Sequence, residues 1–136
     1  MKAKDVMTPD PATRGEGETA HDAAETMARQ DTGVVPVTDA QGRCVGVVTD
    51  RDLVMQVLLP KEDPTQVRLA RIMSTDPLSC GPEEELQQVI EAMKRRQVKR
   101  VLVTEGERCI GVISETDIAR KADPETVGEL VGAVYG

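Results

Sequence analysis

One short segment occurs twice in this chain, and the repetition constrains the fold more than any other feature. Residues 46–52 (Gly-Val-Val-Thr-Asp-Arg-Asp) recur as residues 111–117 (Gly-Val-Ile-Ser-Glu-Thr-Asp). A lead-in at residues 6–8 (Val-Met-Thr) likewise recurs at residues 72–74 (Ile-Met-Ser). Because a repeat of this size buries its apolar face against its twin, the sequence predicts one folding unit, duplicated and packed about a pseudo-twofold axis.

The composition allows an aliphatic core and argues against nucleic acid as a partner. The 136 residues are 39% hydrophobic, but they include no Trp, no Phe and one Tyr. Proteins that bind single-stranded nucleic acid stack bases on aromatic side chains and attract phosphates with positive charge. With one aromatic residue and a formal net charge of −7, the chain is predicted to bind no nucleic acid.

The N-terminal residues and the cysteines indicate a cytoplasmic protein. Residues 1–5 lead into no apolar segment, and no stretch approaches the ~18 apolar residues typical of a membrane span, so no membrane partner is expected. Cys44, Cys80 and Cys109 lack metal-ligand spacing and are expected to be reduced thiols, and the equivalent strand positions of Cys44 and Cys109 favour small buried hydrophobic residues over a redox role. Because His21 has no companion His, no metal site is predicted.

Hydrophobic spacing predicts a β-α-β-β-α order in each repeat, which is an α+β fold class. A capping box at Thr19 and Asp22 predicts the start of the first helix, and residues 86–93 have the amphipathic spacing of its twin. Runs of β-branched residues around Gly-containing turns predict one β-hairpin over residues 34–49 and another over residues 101–114. Each repeated motif then begins a second helix.

Two local features and one boundary complete the prediction. The first strand of repeat 1, over residues 12–17, has little apolar content. Pro36 lacks an N–H group and therefore favours a sheet edge or a strand end. A polar linker at residues 61–64 separates repeat 1, residues 1–65, from repeat 2, residues 66–136, which ends in a C-terminal helical tail.

The repeated motif has two chemical interpretations. Thr49 with Asp52, and Ser114 with Asp117, fit the capping box that satisfies backbone N–H groups at a helix start. The same carboxylate can accept hydrogen bonds from both hydroxyls of a ribose, and a helix start with its hydroxyl favours phosphate, which together indicate a nucleotide. The glycine that opens each motif lets a ligand or another strand approach the backbone closely.

Taken together, these residues resemble a tandem pair of cystathionine-β-synthase (CBS) domains. The resemblance rests on two units of Gly-hydrophobic-hydrophobic-Thr/Ser-x-x-Asp in tandem. Each unit is preceded by an apolar run, at residues 34–37 or 101–103, and is introduced by one of the two lead-ins. The resemblance covers essentially the whole chain and leaves no catalytic domain over, so the chain is expected to be a stand-alone member.

The resemblance implies clefts between the two repeats that bind adenosine compounds, with the motif Asp on the ribose and the base against backbone of both repeats. One predicted pocket combines Ser114, Thr116 and Asp117 with Thr8, Ala12, Thr32, Gly33 and Val34. The other predicted pocket combines Thr49, Arg51 and Asp52 with Lys99, Arg100 and Val101, where similar pairs carry basic residues that bind phosphate.

The two pockets are predicted to be unequal. Lys99 and Arg100 can neutralise phosphates, whereas the equivalent Gly33 and Val34 offer a neutral surface for a flat base. The alternative interpretation of the two basic residues is a solvated charge run at the end of the preceding helix. Glu115 places an additional negative charge beside one motif, which weakens phosphate binding there.

We predict a non-catalytic regulatory module that requires no cofactor and senses AMP, ADP or ATP, with S-adenosylmethionine as a further candidate. An enzyme would use Asp50 and Asp52 to bind a metal or Cys80 as a nucleophile, but no His base accompanies the thiol. The alternative function is a ligand-independent scaffold whose motifs only cap helices. The resemblance also implies a homodimer formed through the helices, and a regulated protein that the sequence does not identify.

Overall fold

The computed structural model of the chain describes residues 1–128 and divides into two compact units. Unit 1 combines Met1–Pro11 with the chain from Leu78 onward, and unit 2 is the continuous segment Ala12–Pro77. Residues 124–128 are helical, and the remainder of the predicted C-terminal tail lies outside the described residues.

Each repeat contains the predicted order of strand, helix, strand, strand and helix, which confirms the mixed α and β fold class. In chain order the elements are α1 (Ala3–Val6), β1 (Thr8–Pro9), β2 (Arg14–Gly15), α2 (Ala20–Gln30), β3 (Val34–Thr38), β4 (Cys44–Thr49), α3 (Asp50–Leu53), α4 (Leu69–Ile72), β5 (Ser79–Cys80), α5 (Leu86–Arg96), β6 (Arg100–Glu105), β7 (Arg108–Ser114) and α6 (Glu115–Lys121). Helix α3 continues directly into a π-helical segment, Val54–Leu58. Among the described residues, no helix is both long enough and apolar enough to span a membrane.

The first helix of each repeat has well-defined ends. The predicted capping box at the start of α2 is present, because Thr19 and Asp22 exchange hydrogen bonds between side chain and backbone. Helix α5 has no side-chain cap at Glu85. Both helices end at a residue in the left-handed conformation, Asp31 with φ 51° and Gln97 with φ 53°. The two helices therefore stop in the same way but start differently.

Unit 2 contains a three-stranded mixed sheet with the order β2-β3-β4. Strands β3 and β4 form the predicted antiparallel hairpin, and β2 pairs with β3 in parallel over two residues, Arg14 and Gly15. The low apolar content of residues 12–17 therefore produces a short strand rather than none.

The expectation for Pro36 needs correction, because it is the third of five residues in β3, the middle strand of this sheet. It is tolerated there because neither neighbour requires its N–H group. On one side it lies opposite Val47, whose N–H and C=O groups are both bonded to Ser74. On the other side, pairing with β2 begins only at Val37.

Unit 1 contains a four-stranded mixed sheet with the order β1-β7-β6-β5. Strands β6 and β7 form the second predicted hairpin, and the short strand β5 is parallel to β6. Strand β1, which belongs to the first lead-in, pairs with β7 in antiparallel fashion, with Thr8 opposite Val112 and Pro9 opposite Gly111. The N-terminal lead-in therefore completes the sheet of the second repeat.

Each unit has an aliphatic core that includes the lead-in of the other repeat. In unit 1, Ala3 and Val6 are fully buried in a cluster with residues of α5, β6, β7 and α6. In unit 2, Leu69 and Ile72 are buried with residues of α2, β3, β4 and the π-helical segment. The packed units therefore differ from the sequence repeats, residues 1–65 and 66–136, because the repeats exchange their lead-ins.

Candidate functional site

In unit 2 the repeated motif lies where β4 passes into α3, and it forms a complete helix cap. Asp52 Oδ2 accepts hydrogen bonds from Thr49 N at 2.8 Å and from Thr49 Oγ1 at 3.0 Å. Thr49 Oγ1 in turn accepts a hydrogen bond from Asp52 N at 3.2 Å. The capping interpretation is therefore correct, but the cap uses only one of the two carboxylate oxygens of Asp52.

In unit 1 the same cap joins β7 to α6. Asp117 Oδ2 accepts hydrogen bonds from Ser114 N at 2.8 Å and from Ser114 Oγ at 3.0 Å, and Ser114 Oγ accepts one from Asp117 N at 3.2 Å. The two motifs thus present one carboxylate oxygen to the helix start and leave the other, Oδ1, for further contacts.

The second carboxylate oxygen is in different surroundings in the two motifs. Asp117 Oδ1 accepts a hydrogen bond from Thr8 Oγ1 at 2.8 Å, and it lies 4.0 Å from Lys121 Nζ. Asp117 is 9% exposed. Asp52 is half-buried, and its Oδ1 accepts no hydrogen bond from residues 1–128. Oδ1 of Asp52 is therefore an open acceptor, whereas Oδ1 of Asp117 already accepts a hydrogen bond from Thr8.

The motif glycines provide space for the lead-ins. A Cβ atom at Gly111 would overlap Met7 Sδ, and one at Gly46 would lie 2.6 Å from Ser74 O and 2.9 Å from Met73 Sδ. Of the two uses considered for these glycines, the close approach of another chain segment is confirmed. Sequence reasoning did not assign this role to the two methionines, although their recurrence in the lead-ins was a usable signal.

A polar side chain from the second helix of each repeat also holds a lead-in. Lys121 Nζ donates hydrogen bonds to Val6 O at 3.2 Å and to Met7 O at 3.3 Å. At the equivalent position, Gln56 Nε2 donates to Ile72 O at 3.2 Å. Sequence analysis missed both residues, and the signal that could have found them is their common spacing after the motif Asp.

Several of the other predicted site residues lie beside the motif of their own unit. In unit 2, Val34 pairs with Thr49, and Asp50 N donates to Gly33 O at 2.9 Å. Thr32 Oγ1 accepts a hydrogen bond from Val34 N at 3.3 Å. Ala12 and Arg51 are exposed. These residues bring a stretch of backbone next to the Thr49 cap.

In unit 1 the basic residues lie beside the second motif. Arg100 pairs with Ser114 across the hairpin, and Glu115 N donates to Lys99 O at 3.3 Å. Val101 is 1% exposed and packs in the core, and Thr116 is exposed. The predicted pockets combine residues from both units, and that combination remains a prediction.

Within residues 1–128, the remaining nucleophile and metal candidates are the three cysteines and one cluster around His21. Burial raises the pKa of the Cys80 thiol to about 11, which suppresses the thiolate that a nucleophile needs. Cys44 and Cys109 are half-buried rather than fully buried. Among the described residues, His21, Asp22 and Glu25 are close enough to share an ion, but Asp22 caps α2 and Glu25 pairs with Arg29.

The fold and the repeated junctions define a class of protein built from two α/β repeats, each with a Ser/Thr-x-x-Asp cap at the end of its hairpin. The sequence profile of the CBS domain matches residues 3–58 and again residues 69–123. The chain therefore belongs to the CBS domain family and is a CBS pair, a regulatory module.

Known proteins with the same architecture support this assignment. Hypoxic response protein 1 of Mycobacterium tuberculosis is 30% identical over 132 residues, which is 97% of this chain and 92% of that protein. A crystal structure of Hypoxic Response Protein I with two coordinated zinc ions matches with a TM-score of 0.80 at 30% identity, over 90% of this chain and 100% of that chain.

Two further structures extend the comparison. The hexameric CBS-CP12 protein from bloom-forming cyanobacteria matches with a TM-score of 0.82 at 27% identity, over 90% of this chain and 72% of that one. The CBS domain pair of protein MJ0100, in complex with 5-methylthioadenosine and S-adenosyl-L-methionine, has a TM-score of 0.79 at 21% identity, over 88% and 94% of the two chains. At 21% identity this second likeness concerns the fold alone.

Proposed function

We propose that this CBS pair senses adenine nucleotides by binding the ribose of AMP, ADP or ATP at its motif carboxylates. The observation that carries the proposal is the open Oδ1 of Asp52, which is held in place by a cap that uses only Oδ2. A carboxylate oxygen has about two lone pairs, enough to accept hydrogen bonds from both hydroxyls of a cis-diol. A sensor of this kind catalyses no reaction. It requires only that the ligand bind two states of the protein with different affinity.

Two further features support an adenosine compound. Lys99 and Arg100 lie at the start of β6 beside the second motif, and they supply positive charge for phosphate in a chain of net charge −7. The MJ0100 pair, which shares the fold, holds two adenosine compounds. S-adenosylmethionine and methylthioadenosine therefore join the nucleotides as candidates, and their ribose makes the same demand on the carboxylate.

A thermal-shift titration tests the proposal with ligands that differ in one group. AMP, ADP, ATP and S-adenosylmethionine are compared with 2′-deoxy-AMP, which lacks one hydroxyl of the diol. A ligand at ~100 times its dissociation constant stabilises the folded state by ~2.7 kcal/mol. We expect a shift with at least one ribose compound and a much smaller one with the deoxy analogue, because the carboxylate loses a donor.

The variant Asp52→Asn identifies the carboxylate. Asparagine is nearly isosteric, and its carbonyl oxygen can retain the cap while its NH2 group replaces the open acceptor. We expect this variant to fold with a similar midpoint but to lose the ligand-dependent shift. An unchanged shift in Asp52→Asn and in Asp117→Asn would refute the ribose assignment. If no adenosine compound moves the midpoint of the folded protein, the scaffold function is favoured instead.

One exposed apolar surface could serve both the scaffold alternative and the expected homodimer. Val54, Met55, Leu58 and Leu59 are 44–68% exposed on the π-helical segment and the turn after it. Contiguous exposed apolar side chains of this kind mark protein interfaces, and the CBS-CP12 relative assembles as a hexamer. We propose that this apolar surface joins two copies of the chain and that a regulated protein then reads the state of the dimer.

Light scattering coupled to size-exclusion chromatography tests the proposed dimer. The double variant Leu58→Lys/Leu59→Lys places charge on the surface without disturbing the core, since both side chains are more than half exposed. We expect wild type at twice the monomer mass and the variant at the monomer mass. The matched control Arg95→Glu changes charge on the exposed side of α5 and should leave the mass unchanged.

A further inference from the structure

We propose that Thr8 makes the two motif carboxylates unequal. Ribose then binds first at Asp52, and it binds at Asp117 only when the Thr8 hydroxyl of the N-terminal lead-in is displaced. This inference rests on the proposed function and assigns an order of occupancy to its two sites. Thr8 is thereby a residue that determines which site binds, through its effect on Asp117, rather than a residue that contacts the first ligand.

The hydrogen-bonding capacity of the two carboxylates supports this order. In both motifs Oδ2 accepts two hydrogen bonds from the capping residue, which fills its lone pairs. Asp52 Oδ1 accepts none from residues 1–128, so it can receive both hydroxyls of a diol. Asp117 Oδ1 already accepts the Thr8 hydroxyl at 2.8 Å, so it can receive only one more. A diol at Asp117 must therefore displace Thr8.

The equivalent residue in unit 2 does not compete with the ligand. Ser74 takes the position of Thr8, and its backbone is held in the same way, because Ser74 pairs with Val47 as Thr8 pairs with Val112. Within residues 1–128, its hydroxyl makes no hydrogen bond to Asp52. The lead-in of unit 2 is therefore docked without occupying the carboxylate.

The second helix adds a charge difference that acts in the same direction. Lys121 Nζ lies 4.0 Å from Asp117 Oδ1 and donates to the carbonyls of Val6 and Met7, so it ties the carboxylate and the lead-in together. Gln56, at the equivalent position in unit 2, is neutral and donates to Ile72 O. Displacing Thr8 therefore disturbs a connected group in unit 1 that has no charged counterpart in unit 2.

Isothermal titration calorimetry with AMP as the probe tests the order of occupancy. For wild type we expect one tight site per chain and a second site weaker by about tenfold or more, since a hydrogen bond to a charged group must be exchanged at Asp117. Asp52→Asn should abolish the tight site, whereas Asp117→Asn should leave it unchanged. Two equal sites in wild type, or loss of the tight site in Asp117→Asn, would overturn the inference.

Variants of Thr8 then isolate its hydroxyl. Thr8→Val removes the hydroxyl at nearly constant shape and should tighten the weak site by about tenfold, while Thr8→Ser keeps the hydroxyl and should behave as wild type. Ser74→Ala is the matched control in the other lead-in and should change neither site. A Thr8→Val variant that folds with an unchanged or weakened second site would contradict the inference. If Thr8→Val does not fold, the two Asp→Asn variants still decide the order of occupancy.

The titration also separates this inference from the proposed function. If AMP and the other adenosine compounds bind no folded variant, the proposed function fails and this inference fails with it. If AMP binds wild type at two equal sites that both need their Asp, the proposed function stands and the inference alone is wrong.

Discussion

Met7 Sδ lies directly against the backbone of Gly111, and Met73 Sδ occupies the same place over Gly46 in the other unit. Each methionine belongs to the lead-in of one sequence repeat and each glycine to the motif of the other. The contact therefore joins the two halves of the sequence inside both packed units. It also ties the docking of each lead-in to the strand that delivers the motif carboxylate.

Replacing either motif glycine by alanine is expected to destabilise the fold by about 1–3 kcal/mol, because the added methyl group overfills a packed contact. Gly46→Ala should be the more harmful change, since its Cβ would lie 2.6 Å from a backbone oxygen, Ser74 O. At Gly111 the obstacle is the Met7 side chain, which can move. Chemical denaturation of the two variants measures the difference.

A double variant tests whether Met7 causes the effect at Gly111. Met7→Ala/Gly111→Ala removes the obstacle, so its loss of stability should be smaller than the sum for the two single variants, with a coupling of about 0.5–3 kcal/mol. Additive effects would show that Gly111 is required for another reason.

The N-terminus is held to unit 1 by a charge cluster that predicts a specific pH dependence. Lys2 Nζ and Lys4 Nζ each donate to Glu83 at 2.8 Å, and these hydrogen bonds lower the pKa of Glu83 to about 2 from an ordinary value of 4.5. A carboxyl with a lowered folded-state pKa contributes stability that is present above its unfolded pKa and is lost as the pH falls through the folded pKa. The contribution should therefore fade between about pH 4.5 and pH 2.

Thermal midpoints of wild type and Glu83→Gln measure this contribution. We expect the variant to melt below wild type at pH 7 and the two curves to converge near pH 2. The difference at pH 7 should shrink at high salt, since the three side chains are 43–61% exposed and salt screens their charges. Glu91→Gln, on the exposed side of α5, controls for the loss of one negative charge. A difference that persists at pH 2 would point to packing rather than charge.

The three thiols are expected to react at different rates. Burial raises the pKa of Cys80 to about 11, so at pH 8 only about one Cys80 in a thousand is a thiolate. In the native protein Cys80 should resist Ellman's reagent, whereas unfolding in guanidinium should expose all three thiols. Cys80→Ala should show the same native labelling as wild type and one thiol fewer when unfolded. Rapid native labelling of Cys80 would contradict its burial.

Local features of the fold could be predicted from the sequence because they depend on residues near one another in the chain. The capping boxes at Thr19 and at the two motifs, the two hairpins and the short strand over residues 12–17 all follow from such local patterns. The exchange of lead-ins could not be predicted in this way. It pairs Thr8 with Val112 and Ser74 with Val47, and nothing local to those residues selects the partner.

In the candidate site, too, the local features could be predicted and the long-range contacts could not. The role of Asp52 and Asp117 as caps was visible in the spacing of the motif, and their assignment to ribose came from the family resemblance. The resemblance placed Thr8 and Asp117 in one predicted pocket, but their direct hydrogen bond could not be read from the repeated pattern, because the twin of Thr8, Ser74, makes no such bond within the described residues. The repetition that identified the motif therefore concealed the difference between its two copies.

The unequal starts of α2 and α5 predict one stabilising substitution and one destabilising substitution. Thr19 caps α2, so Thr19→Ala should reduce stability by about 0.5–2 kcal/mol.

At the equivalent position, Glu85 has an extended backbone, with φ −67° and ψ 134°, but makes no side-chain cap. Glu85→Asp retains the negative charge near Lys2 and shortens the side chain to that of a common N-cap residue, whose carboxylate can accept a hydrogen bond from a backbone N–H group of the first turn. We expect it to add about 0.5–1 kcal/mol to the free energy of unfolding, measured by urea denaturation. Glu85→Gln, which is equally long and lacks the short side chain of a common cap residue, should add none, and a gain in that variant would show that stabilisation at this position does not require a cap.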